Sequence, residues 1–465
     1  MIFTNSTIQA STVLLNFYFI LFSTPLLGQA EAAPPQVDSR LYEIAQASSP
    51  DRIEADIQKL VSFGTRNTLS DTLSETRGIG AARRWIKAEF ERISVACGNC
   101  LDVYYQRTLV PAEGNRRIPE DTWVVNVIAV QKGNRYPNRH IIMSGDIDSR
   151  ASNATDGTTD APGANDNASG MAGVLEAARV LSQYQFASTV VYTGLSGEEQ
   201  GLFGGRHMAE MAKEKGWEII GVLNNDMIGN IEGIDGVIEN NTFRVFSEPT
   251  PATDNEQQRI WHRFYGGEVD GVSRQLARYV DRLTDLYMTN LDAILIYRLD
   301  RFGRGGHHRP FNDLGFPGVR IMETHENYNR QHQDIRTEDG IAYGDVIEGV
   351  NFDYAAKLTA VNAITMAALA WAPPPPKNLM IGGAVRPSTR LRWESNDDPN
   401  LAGYKIYWRA TTAPQWEHFR YVGKLEDFTL DHIVIDNYLF GVAAVGKDGN
   451  ESVVAYPKTL IPRRN

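Results

Sequence analysis

Cysteine is nearly absent: 465 residues contain two, Cys97 and Cys100. That supply excludes a disulfide framework, and a zinc ribbon would need a second pair of ligands that the chain lacks. A redox Cys-x-x-Cys motif would follow a strand and open a helix. This pair instead follows an expected helix, Ile79 to Val95, and precedes a strand-like run, so a local structural disulfide is the reading that remains. Basic stripes are also missing. The net charge is -11 and Lys and Arg do not cluster, which argues against nucleic acid as a partner. No internal repeat or low-complexity tract is visible. Charge is absent from the first 30 residues, where the apolar run from Val13 to Phe22 is too short for a comfortable membrane span. Gly28, Ala30 and Ala32 supply small residues at the spacing of a cleavage site, although no basic side chain precedes the apolar run. The expectation is a signal peptide over residues 1–32, a secreted or periplasmic protein, and no stable membrane span after its removal.

What is present reads as two folded parts. Apolar residues make up 42% and charged residues 22%, enough for a sizeable core in a soluble chain. Ile53 to Phe63 and Ile79 to Val95 have the spacing of amphipathic helices. Thr122 to Val130, His140 to Ser144, Ser188 to Gly194, Ile219 to Asn225 and Gly318 to Met322 read as buried strands, with helices between them. Asp254 to Leu299 is rich in helix formers, and Phe352 to Trp371 is a last apolar helix. This alternation predicts an α/β domain over 33–372, with a mixed, largely parallel sheet flanked by helices. Pro373–Pro376 is a stiff linker. Beyond it, over 377–465, the apolar pattern changes to period two, as at Tyr404, Ile406 and Trp408. That predicts a small all-β sandwich resembling a fibronectin type III domain, with Trp393 in its core. The spacer predicts two parts that fold independently.

Acidic residues follow the strands at once. Ser144-Gly-Asp-Ile-Asp-Ser149 brings Asp146 and Asp148, and Leu195-Ser-Gly-Glu-Glu-Gln-Gly201 brings Glu198 and Glu199. The third strand ends on Asp226, and Gly163-Ala-Asn-Asp-Asn-Ala-Ser-Gly170 adds Asp166, with Asn167 and Ser169 as helix-capping candidates. Ligand crevices of open α/β sheets lie at the carboxyl ends of the strands, so these carboxylates share one crevice and predict a metal site.

At these two Gly-flanked motifs, residues from about 50 to 371 resemble the co-catalytic zinc exopeptidases of the bacterial leucyl aminopeptidase and glutamate carboxypeptidase superfamily. The resemblance implies an eight-stranded mixed sheet with two zinc ions over the strand ends. It also implies that Asp166 bridges the metals, that Glu199 and Asp226 are ligands of one metal each, and that Glu198 is the general base. The last ligand would be His332, with His325 as runner-up. His308 corresponds to a histidine near the substrate. Asp148 would act in catalysis by orienting its neighbouring ligand. Two metals about 3.5–4 Å apart can activate water and polarise a carbonyl, while a glutamate that is not a ligand moves the proton.

One position departs from the pattern. The superfamily has histidine two residues before its aspartate, and here Asp146 stands in that place. The implied shell, Asp146, Asp166, Glu199, Asp226 and His332, is rich in oxygen, so manganese or cobalt becomes possible beside zinc. The expected function is metal-dependent hydrolysis of N-terminal residues from a peptide or protein substrate. Glutaminyl cyclase-like acyl transfer and a peptide-binding protein with an inactive site are the alternatives.

Overall fold

The computed structural model describes residues 33–266 and 270–462. The expected signal peptide, over residues 1–32, lies outside them. Eight strands form the central sheet: β1 (Leu101–Val110), β2 (Thr122–Gln131), β3 (Tyr136–Asp146), β4 (Ser188–Leu195), β5 (Glu218–Asn225), β6 (Thr242–Ser247), β7 (Asp292–Ile296) and β8 (Gly318–Glu323). Their order is β1-β2-β4-β3-β5-β8-β6-β7. The middle block β4-β3-β5-β8 is parallel, while β1, β2 and the β6/β8 pairing are antiparallel. The sheet is therefore mixed, with its parallel part in the centre.

The parallel strands are apolar along their length because both faces are covered. Ile141 and Met143 of β3 join a cluster with the helices Pro50–Val61, Gly78–Ala96, Gly170–Leu181, Val272–Tyr287 and Phe352–Trp371. Ile142 points the other way, into a cluster with Met208, Ala209 and Ala212 of the helix Phe203–Glu214. Cys97 and Cys100 are joined in a disulfide at the end of the helix Gly78–Ala96. The stretch rich in helix formers is two helices, Glu256–Tyr265 and Val272–Tyr287, followed by strand β7. Neither β6 nor β7 was visible in the sequence pattern.

The C-terminal residues form two sheets. One is four-stranded and contains Lys377–Gly382 and Thr389–Glu394; the other pairs Leu401–Ala410 with His418–Tyr421 and Tyr438–Gly446. Their core holds Trp393, Tyr404, Ile406 and Val442. The Pro-rich segment does not hold this sandwich apart, since Pro34–Asn465 is one compact unit. Asp270 is buried between Arg278 (2.5 Å) and Arg409 (2.7 Å). Glu451 of the sandwich accepts from Arg282 (3.1 Å), Lys405 (2.7 Å) and the Tyr407 hydroxyl (2.6 Å). Asp398 accepts from Arg135 (2.9 Å) and the Tyr136 hydroxyl (2.8 Å) at the start of β3. Period-two patterning carries no information about such contacts between distant segments.

Candidate metal centre

The register of the parallel block sets the site. Asp146, the last residue of β3, pairs with Leu195 of β4, and Gly145 pairs with Asn225 of β5. The chain after β4 turns through Gly197, at φ 74°, into the short helix Glu198–Gly201. Asp148 fixes that turn: its two carboxylate oxygens accept the N–H groups of Glu198 (3.2 Å) and Glu199 (3.1 Å). It thus orients the glutamate backbone. Asp166 is held by Asp345, which accepts the backbone N–H groups of Asn165 (2.9 Å) and Asp166 (2.6 Å). His332 lies in a loop at φ 56°, a left-handed conformation uncommon for a non-glycine residue. A reciprocal pair between Ser152 and Asp334, 3.0 Å each way, pins that loop to the segment after Asp148.

The result is a convergence of three side chains. His332 Nε2 is 3.1 Å from Asp166 Oδ2 and 3.1 Å from Glu199 Oε1. Among the described residues, these three each present a ligand atom, all within 4.8 Å of one another. Two carboxylates and an imidazole form a donor set that suits zinc. Burial opposes charge on His332, but Glu199 and Asp166 outweigh it and raise its pKa to about 10. Asp166 is likewise desolvated, yet His332 beside it holds its carboxyl below the usual range. The three residues therefore fit one divalent cation, which would take the place of the imidazolium proton.

Glu198 borders the same cleft of about 620 Å³ and makes no hydrogen bond through its carboxylate among the described residues. Burial, and then the charges of Glu199, Asp226, Asp146 and Asp166, push its pKa well above the normal carboxylate value. A nearby cation inverts that logic by favouring the carboxylate.

The other two expected ligands lie outside this group, although Asp226 lines the same cleft. Asp146 is 2% exposed; its Oδ1 is 2.5 Å from His307 Nδ1, and its Oδ2 accepts from Asn167 Nδ2 at 2.7 Å. Asp226 Oδ2 lies 2.8 Å from Arg320 Nη2. Burial raises the pKa of Asp146 to about 8 and that of Asp226 to about 7. Burial also pushes His307 down to about 4. Asp146 is engaged through both oxygens and Asp226 through Oδ2 by a fixed guanidinium cation, an arrangement that does not fit a second ion as it stands. His325 pairs with Asp235 at 3.5 Å. His308 is fully buried and donates from Nε2 to the Leu299 carbonyl at 2.8 Å. Tyr328 is exposed. Asn167 accepts the N–H of Gly170, the first residue of the next helix, at 3.0 Å, whereas Ser169, at the N-cap position, makes no capping bond and donates to the Asn165 carbonyl.

Sequence reasoning missed Arg320, His307, Asp345 and Gln331, whose amide donates to Asp166 at 3.2 Å. Arg320 alone left a signal, as a charged residue in the middle of the apolar run Gly318 to Met322.

Residues 126–348 match the description Peptidase family M28. A probable zinc metalloprotease of Leptosphaeria maculans is 40% identical over 432 residues, covering 93% of this chain and 99% of the relative. Another from Pyrenophora tritici-repentis is 40% identical over 430 residues, covering 92% and 88%. Among solved structures, the Legionella pneumophila LapA aminopeptidase is similar in fold, with a TM-score of 0.52 at 19% identity over 74% of this chain and 78% of that one.

Proposed function

Since the chain belongs to peptidase family M28, we propose that it is a zinc-dependent exopeptidase that removes N-terminal residues from peptides. One observation carries the reading: Glu198 faces the cleft beside Asp166, Glu199 and His332 with its carboxylate uncommitted. Those three would hold the ion, which supplies Lewis acidity to water and to the scissile carbonyl. Glu198 takes a proton from the attacking water and passes it to the leaving amine, a role that needs a carboxylate that is not itself a ligand. Asp148 keeps the two adjacent glutamates apart in function by fixing the backbone of both. Asp345 and Gln331 hold Asp166 in register.

We further read the protein as exported, on the strength of its Cys97–Cys100 disulfide and uncharged first thirty residues, and its sandwich as fibronectin type III-like. The test of function is a peptide library presented with free and with acetylated N-termini. Release of amino acids from the free peptides only, abolished by a chelator and restored by zinc, is the expected result. Release from acetylated peptides would contradict the aminopeptidase reading.

A further inference from the structure

We infer that Arg320 takes the place of a second metal ion, so that this chain holds one zinc, on Asp166, Glu199 and His332, and none between Asp146, Asp166 and Asp226. The inference rests on the metal-dependent reading above and narrows it.

Arg320, on β8, is fully buried. It reaches Asp226 Oδ2 at 2.8 Å, Asp300 Oδ2 at 3.1 Å and the Gly305 carbonyl at 2.8 Å. A guanidinium stays protonated in proteins, so this positive charge is permanent. A zinc ion on Asp226 would sit about 2.0–2.2 Å from a carboxylate oxygen, hence a few ångström from that charge, in a site with little water to screen the repulsion. Asp146 is committed as well. Both of its oxygens are engaged, by His307 and by Asn167, and Asn167 Nδ2 also donates to the Asn225 carbonyl at 2.7 Å.

The surrounding backbone is shaped for this arrangement. A Cβ on Gly205 would stand 2.6 Å from His307 Cδ2, so glycine is needed there for the imidazole to reach Asp146. A Cβ on Gly306 would stand 2.7 Å from Asn224 Oδ1 and 3.2 Å from Arg320 Nη1. The Gly305-Gly306-His307 segment therefore delivers a carbonyl to Arg320, clearance beside it and an imidazole to Asp146. Arg320 is closed off from the cleft, so it is a positioning residue: it shares its charge between Asp226 and Asp300 and does not touch substrate.

The test counts zinc per chain by elemental mass spectrometry on the full-length protein after equilibration with buffered zinc. The parent should carry one. Asp146→His alone should also carry one, because the guanidinium remains. Asp146→His/Arg320→Met should carry two, since an imidazole returns and the fixed cation leaves. A parent with two ions overturns the inference, and so does a folded double variant that stays at one. If the double variant does not fold, zinc-edge absorption of the parent decides. A single imidazole-bearing shell without a zinc–zinc vector near about 3.5 Å supports the inference, and that vector overturns it. A two-zinc parent that hydrolyses peptides would refute Arg320's role and leave the proposed function intact. A one-zinc parent that hydrolyses none would do the reverse.

Discussion

The two sides of the strand-end crevice use the same residue types in different ways. On one side, Asp166, Glu199 and His332 converge on one another, with the Gln331 amide on Asp166 and Arg150 3.6 Å from Glu199. On the other, both oxygens of Asp146 are engaged by His307 and Asn167, and Asp226 Oδ2 is held by the Arg320 cation. The difference lies in the partner: an imidazole that a cation can bind on one side, a fixed guanidinium on the other. Buried charge has to be compensated either way, by a bound cation or by one built into the chain.

The largest expected effect falls on the open side. His332→Ala removes a ligand, and zinc content and peptide hydrolysis should both drop to background, whereas His325→Ala should leave both unchanged. Loss of zinc from the His325 variant would reverse the ligand assignment. Glu198→Gln comes next: turnover should fall by roughly 100-fold or more while zinc stays bound, because the shape is kept and the proton acceptor is lost. Equal loss of zinc in Glu198→Gln and Glu199→Gln would dissolve the division between base and ligand.

A third experiment sets the crevice against the sandwich interface, where buried charge has no catalytic task. Glu451→Ala leaves Lys405 and Arg282 without their carboxylate and should lower unfolding stability by about 3–5 kcal/mol. Zinc per folded chain should not change. For the same reason residues 33–372 alone should be less stable than the full chain in a denaturant titration, since Asp270 would lose Arg409. Equal midpoints would mean that these ion pairs contribute nothing net. The smallest effect is expected at Tyr328. It is 54% exposed, and Tyr328→Phe should leave both stability and turnover as they are.

How much was legible in the sequence follows the same division. The α/β architecture and the parallel strands β3, β4, β5 and β8 could be read because continuous apolar runs ended on acidic residues. Asp166, Glu198, Glu199, Asp226 and His332 share one cleft, and the two Gly-flanked motifs carried the first three of them. Strands β6 and β7 escaped because they are short and border a segment rich in helix formers. Arg320 escaped for a different reason. Its partners Asp226 and Asp300 lie 94 and 20 residues away, and only the packed sheet reveals that the charge inside an apolar strand is paired. Asp146 read as an altered ligand because position in a motif says which residue reaches the crevice, not what it meets there.

The most direct test of this contrast is an anomalous difference map at the zinc edge from crystals of the zinc-loaded full chain. The account predicts one peak, within about 2.0–2.2 Å of ligand atoms of Asp166, Glu199 and His332, with Arg320 still on Asp226. A second peak between Asp146, Asp166 and Asp226, with the guanidinium displaced, would contradict it.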